Sequence, residues 1–178
     1  GYLVAGHVRD KDAVQTALCI AEMTLYHKQN GTNLYRRLQQ LFEEFGYYLE
    51  DLININLFGL EGQAKISEIM EYLRQGPPPA LRELGVVTAR DYLKREEVDI
   101  KSGKTFPLTL PPSNVIYFAL NEGAWCCVRP SGTEPKLKIY LGVRGQTLEA
   151  AQDGLQKLHK AVSAMIEPFR QRPVPRSE

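Results

Sequence analysis

Residues 115–143 contain three runs of strand-forming residues separated by short connections. The first run, VIYFAL at 115–120, is rich in β-branched and aromatic residues, and the NEG at 121–123 suits a hairpin turn before residues 124–129 return. The third run, 137–143, alternates, so that Leu137, Ile139, Leu141 and Val143 share one face while Lys136, Lys138 and Tyr140 share the other. This spacing predicts neighbouring strands with one apolar face and one polar face.

The segments around these runs predict the rest of a mixed fold. Residues 47–57 suit a strand, 59–62 a turn, and an apolar stripe predicts a helix ending near Gln75. The triple proline after Gly76 is interpreted as a stiff surface connection. Residues 86–97 fit a strand, although 89–97 have equal helix propensity; 99–114 are expected to be loop and 147–169 a final helix. The predicted class is α+β, an antiparallel β-sheet with helices packed on one face.

The first part of the chain predicts two helices. Residues 13–29 carry apolar side chains at helical spacing and end at Asn30-Gly31, and Thr32 is a plausible N-cap for the helix that follows. Gly46 is a natural hinge after this second helix. We therefore expect a helical segment at 1–45, a second domain at 46–170 and a frayed tail at 171–178.

The loop at residues 129–136, RPSGTEPK, has the chemistry of an anion site. Arg129 has a planar fork of donors that matches phosphate oxygens, and the Ser131 and Thr133 hydroxyls can also donate. Gly132 lets successive backbone N–H groups approach an anion closely, and Lys138 adds a cation beyond the loop. Serine, glycine and threonine also occur in tight turns for conformational reasons alone, so a turn without a ligand is the alternative.

Composition excludes several classes of function. The formal net charge is only +1, which argues against a nucleic-acid partner held by a broad basic surface. No stretch approaches the roughly 20 apolar residues of a membrane span. The three cysteines show no framework spacing and suggest reduced thiols in a cytoplasmic protein. The sequence shows no cluster of residues with metal-ligand spacing.

The complete RPSGTEPK string resembles the phosphate-binding loop in the C-terminal domain of the α-D-phosphohexomutases, the phosphoglucomutase and phosphomannomutase superfamily. The first twelve residues resemble the same superfamily, where an E-x-S-x-G sugar-specificity loop precedes a basic segment and a helix. Gly1 would be the last glycine of that loop, and Lys11, Arg9 and His7 would face the substrate cleft. The other interpretation of residues 9–12 is a solvated helix start, with acids near the positive end of the helix dipole.

This resemblance implies a C-terminal fragment, comprising the end of a preceding α/β sugar-binding domain and a TBP-like fourth domain. The implied enzyme is an isomerase of carbohydrate metabolism, a phosphotransferase that interconverts glucose 1-phosphate and glucose 6-phosphate through glucose 1,6-bisphosphate and an enzyme phosphoserine. Its hexose phosphate would be gripped by Arg129, Ser131, Gly132, Thr133 and Lys138. The serine nucleophile and the Mg²⁺ ligands would lie in missing N-terminal domains, so no catalytic or metal-binding residue is expected here. A phosphomannomutase fragment or a non-catalytic phosphosugar-binding module are the alternatives.

Overall fold

The computed structural model describes residues 2–6, 8–57 and 59–171 of the chain. The chain divides into two compact units, residues 1–46 and residues 47–178. The predicted frayed tail therefore lies, from residue 172 onward, outside the described residues. Among the helices of the described part, none is long and apolar enough to cross a membrane.

The first unit contains two helices, α1 (Ala13–Gln29) and α2 (Leu34–Phe45). Asp12 caps α1 by accepting hydrogen bonds from the backbone N–H groups of Val14 and Gln15. The prediction of Thr32 as the cap of α2 is wrong. Asn33 has that role, because its side chain accepts from the backbone N–H of Arg36. Neither helix has a buried residue, although both carry apolar side chains at helical spacing.

The second unit is built on a seven-stranded sheet in which every neighbouring pair is antiparallel. Its strands are β1 (Tyr47–Asn56), β2 (Val86–Asp91), β3 (Glu96–Asp99), β4 (Thr105–Pro107), β5 (Ile116–Leu120), β6 (Trp125–Pro130) and β7 (Lys136–Gly145). Their spatial order is β1-β7-β6-β5-β2-β3-β4. The central strands β5, β6 and β7 are therefore the three runs from which the sequence predicted the sheet.

Helices cover one face of this sheet. They are α3 (Gly59–Arg74), the single turn α4 (Pro79–Arg82) and α5 (Leu148–Gln171). The strand residues in the core alternate along β5, β6 and β7, and they are Ile116, Phe118, Leu120, Cys126, Val128, Leu137, Ile139, Leu141 and Val143. They pack with apolar residues of α3 and α5, such as Met70 and Val162. The predicted α+β class, with helices on one side of an antiparallel sheet, is confirmed.

Four local predictions differ from the structure. Residues 59–62 open helix α3 rather than forming a turn. Pro77 and Pro78 are buried, and Pro79 starts α4, so the triple proline is not a surface connection. The predicted strand at 86–97 is a hairpin, because residues 92–95 turn between β2 and β3, and Arg95 adopts φ 61° to close that turn. The predicted loop at 99–114 includes the short edge strand β4.

Candidate phosphate-binding site

The candidate loop connects the end of β6 to the start of β7. In the ladder between these strands, Arg129 lies opposite Lys138 and Pro130 opposite Leu137. The backbone N–H of Leu57, just beyond β1, donates to the Pro135 carbonyl at 3.0 Å, so a third strand end supports the loop. Strand pairing therefore brings Arg129 and Lys138 together at the base of the loop.

Arg129 and Lys138 lie on the face of the sheet that the helices leave uncovered. The burial alternation determines this, since Val128 and Leu137 point into the core. Arg129 is half-buried and its Nη2 donates to the Tyr140 hydroxyl at 3.0 Å. Its guanidinium carbon lies 5.5 Å from the Tyr140 ring centroid, within cation–π range. Across residues 2–6, 8–57 and 59–171, no carboxylate forms an ion pair with Arg129.

A second arginine on the same face provides a comparison. Arg90 of β2 lies over the ring of Tyr117, with its guanidinium carbon 5.3 Å from the centroid. Unlike Arg129, it forms an ion pair with Glu97 on the neighbouring strand, which raises the pKa of Arg90. Both arginines are half-buried beside a tyrosine, and only Arg90 has an anionic partner in the described protein. A half-buried guanidinium without a carboxylate is suited to bind an external anion.

Part of the loop backbone already forms hydrogen bonds within the loop. The Ser131 N–H donates to the Lys136 carbonyl at 2.8 Å, and the Lys136 N–H donates to the Glu134 carbonyl at 2.8 Å. In this conformation the Ser131 backbone N–H is therefore not free for a ligand, and the predicted donor of this residue, its hydroxyl, remains. Gly132 and Thr133 are exposed. Gly132 does not adopt a positive φ, and a Cβ added there would meet no heavy atom within 4 Å.

The loop carries an excess of positive charge. Lys136 forms an ion pair with Glu134, and its hydrogen bond and charge lower the pKa of that exposed carboxyl. This pair leaves Arg129 and Lys138 as the two cations at the base of the loop. Lys138 lies between Arg129 on β6 and Asn54 on β1 in the ladder. An anion placed above this ladder position would meet two positive charges and one polar amide residue.

Sequence reasoning did not assign Tyr140 to the site. It placed Tyr140 on the same face as Lys138, which the structure confirms, but the contact with Arg129 depends on the register of β6 against β7. Arg129 and Tyr140 are diagonal neighbours, since Tyr140 lies opposite Cys127. Burial raises the pKa of the Cys127 thiol, and the Arg129 cation opposes this shift in part. Tyr140 could be identified as a neighbour of Arg129 only from the register of β6 against β7.

The predicted cleft residues of the first unit lie on an exposed segment. Arg9 is exposed, and Lys11 pairs with Asp10, with its Nζ 2.5 Å from the carboxylate Oδ1. His7 lies outside the described residues. No group of three or more His, Cys, Asp or Glu side chains in the described ranges could hold a metal ion.

Residues 83–154 match the family described as "Phosphoglucomutase/phosphomannomutase, C-terminal domain". They include β5, β6, the RPSGTEPK loop and β7. Residues 83–154 are therefore similar to this C-terminal domain. The resemblance found in the loop residues is thereby confirmed for the domain that carries the loop.

Similarity to curated phosphoglucomutases extends over most of the chain. The chain is 35% identical over 162 residues to a phosphoglucomutase of Staphylococcus aureus strain MSSA476, covering 91% of this chain and 29% of the relative. It is 38% identical over 144 residues to a phosphoglucomutase of strain MRSA252, covering 81% of this chain and 26% of the relative. The chain thus spans less than a third of the length of these relatives.

A solved structure shares the fold. It is the open form of the exocytosis-sensitive phosphoprotein parafusin, a phosphoglucomutase from Paramecium, which matches with a TM-score of 0.59 at 20% identity. The match covers 94% of this chain and 30% of the parafusin chain. At this identity the likeness supports the fold and does not assign a substrate.

Proposed function

We propose that this chain is the C-terminal phosphate-binding part of a phosphoglucomutase-like enzyme and has no mutase activity by itself. The complete enzyme would interconvert glucose 1-phosphate and glucose 6-phosphate. The observation that carries the proposal is Arg129, half-buried at the base of the loop beside Lys138 and without a carboxylate partner among the described residues. Arg129, Ser131, Gly132, Thr133 and Lys138 would together hold the phosphate that is not being transferred.

The composition of the loop suits the proposed reaction. A sugar that passes through a bisphosphate must turn over between half-reactions, so one fixed phosphate-binding site has to accept the phosphate on either end of the sugar. Arginine and hydroxyl donors recognise phosphate oxygens without reading the sugar ring. Sugar recognition would then come from other segments, and Lys11, Arg9 and His7 remain proposed cleft residues for that role.

The parts needed for chemistry would come from elsewhere in the enzyme. The proposal places the phosphoserine, Mg²⁺ and recognition of glucose 1,6-bisphosphate with the N-terminal domains, which would be the physical partners of this chain. Because no residue set of the described chain fits a metal ion, no step here is assigned to one. Three cysteines without disulfides suit a cytoplasmic location, which we include in the proposal.

The expected affinity of the isolated chain is low. Charged hydrogen bonds contribute about 1.5–3 kcal/mol each, so four contribute roughly 6–12 kcal/mol before costs. Loss of ligand freedom removes an estimated 4 kcal/mol or more. We therefore expect dissociation constants near the millimolar range, for which the binding free energy is about 4 kcal/mol.

The test is a chemical-shift titration of the 178-residue chain with inorganic phosphate and with glucose 1-phosphate. We expect millimolar shifts centred on the five loop residues, similar for both ligands, and lost in Arg129→Ala. Arg90→Ala is the matched control, because it removes a half-buried arginine over a tyrosine on the same face. No localised shift up to tens of millimolar, or equal loss in both variants, would overturn the proposed phosphate grip.

A further inference from the structure

The Tyr140 hydroxyl accepts a hydrogen bond from the Arg129 guanidinium across the pair of strands β6 and β7. We propose that Tyr140 is a positioning residue for the phosphate grip, acting through its hydrogen bond to Arg129. This inference rests on the proposed function. It adds to that function a residue outside the loop, ten positions from Pro130 along the chain and one strand away in space.

The geometry of the pair supports this role. Arg129 Nη2 donates to the Tyr140 oxygen at 3.0 Å, and the ring lies beside the guanidinium, with 5.5 Å between the guanidinium carbon and the centroid. A tyrosine hydroxyl accepts the bond while adding no negative charge, so the arginine is oriented without being neutralised. The Nε–H, both N–H groups of Nη1 and the second N–H of Nη2 remain for a ligand.

The contrast with Arg90 shows what a different partner would do. Glu97 orients Arg90 and also cancels its charge. A carboxylate in the place of Tyr140 would compete directly with phosphate for the Arg129 donors. A neutral acceptor avoids that competition while still lowering the rotamer freedom that binding would otherwise remove from a long side chain.

The position of Tyr140 makes it a stable support. It lies in the middle of β7, directly opposite Cys127 on one side and Leu52 of β1 on the other. Its neighbours in the strand, Ile139 and Leu141, are fully buried in the core. The hydroxyl is therefore fixed by a core strand, whereas the adjoining loop residues Gly132 and Thr133 are exposed.

The test compares Tyr140→Phe with Tyr117→Phe in the 178-residue chain, using inorganic phosphate as the probe. Tyr117 is the matched control, a half-buried tyrosine beside an arginine on the same face, stacked on Trp125. We expect about a three- to tenfold rise in the phosphate Kd for Tyr140→Phe, because the Arg129 side chain must then be ordered on binding. We expect no change for Tyr117→Phe. The Arg129 Nε–H resonance should shift and show greater mobility only in Tyr140→Phe, even without ligand.

A double variant separates positioning from direct contact. In an Arg129→Lys background, Tyr140→Phe should change the phosphate Kd by less than twofold, because lysine has no planar guanidinium for the tyrosine to orient. Unchanged phosphate binding in Tyr140→Phe, or a full effect that persists in the Arg129→Lys background, would overturn the inference while leaving the proposed phosphate grip intact. Absence of phosphate binding by the unsubstituted chain would overturn both the role of Tyr140 and the proposed phosphate site. This result differs from an effect seen only in the Tyr140 variants.

Discussion

We expect Gly142→Ala to lower the free energy of unfolding, because the Trp125 indole occupies the space that the new methyl group would need. Gly142 lies directly opposite Trp125 in the ladder between β6 and β7. A Cβ added at Gly142 would lie 2.3 Å from both Nε1 and Cε2 of that indole. The indole also stacks on Tyr117, with 5.9 Å between ring centroids and 16° between planes. In Gly142→Ala the indole must therefore move and disturb this stack.

The expected cost combines three effects. Overpacking costs typically 1–3 kcal/mol. Loss of an aromatic pair costs about 0.5–1.5 kcal/mol. Replacing glycine in a strand gains roughly 0.5–1 kcal/mol from reduced backbone entropy in the unfolded chain. Because Trp125 is half-buried and its ring can swing toward solvent, we expect a net loss of about 1–3 kcal/mol in the free energy of unfolding.

The assay is urea unfolding followed by far-ultraviolet circular dichroism, with and without Trp125→Ala. Once the indole is absent, Gly142→Ala should be neutral or stabilising. Gly145→Ala is the control, because its Cβ would lie 2.4 Å from the backbone nitrogen of Ala151, which cannot move aside as a side chain can. We expect Gly145→Ala to destabilise both backgrounds equally. An equal cost of Gly142→Ala with and without the indole would refute the reasoning.

Two further predictions concern the loop and the thiols. Gly132→Ala should leave the free energy of unfolding within about 0.5 kcal/mol of the parent, because the site is open, yet weaken phosphate binding, because the proposed phosphate approaches the backbone there. Gly154→Ala in α5, where a Cβ would make only ordinary contacts, should leave phosphate binding unchanged and slightly raise stability. Weakened phosphate binding in both variants would contradict the assignment of Gly132. Burial raises the pKa of the Cys126 thiol, so at neutral pH iodoacetamide should modify Cys126 only as fast as the chain unfolds, which mass spectrometry with and without urea would measure. Modification of Cys126 at a rate that rises with pH in the folded protein would contradict this prediction.

The sequence predicted the sheet best where its alternation is regular. Residues 137–143 have an unbroken period of two, and the structure confirms both the strand and the assignment of its faces. The hairpin of β2 and β3 was not predicted, because its turn has no glycine and relies on Arg95 at positive φ, supported by Asp91 accepting from the Leu93 N–H. Such a turn is decided by local side-chain hydrogen bonds and tertiary pairing, which composition does not reveal.

The prolines show a different limit of sequence reasoning. A run of three prolines has a clear local meaning, since it ends a helix, and α3 does end before it. Whether such a run is exposed depends on what packs over it, and here Pro77 and Pro78 are buried while Pro79 opens α4. The local conformation was therefore predictable and the burial was not.

In the loop at residues 129–136, residue types alone predicted the candidate phosphate donors but not the residues that contact them. Arg129, Ser131 and Thr133 are recognisable as phosphate donors from their chemistry. The contact between Arg129 and Tyr140 depends on strand pairing, and the neutralisation of Lys136 by Glu134 depends on the conformation of the loop itself. The fold thus separates the cations that the protein neutralises from those it leaves without a carboxylate. A ligand site of this kind is defined by the charge that the fold leaves unpaired, and for that reason Arg129, rather than Arg90 or Lys136, is the residue whose loss should remove phosphate binding.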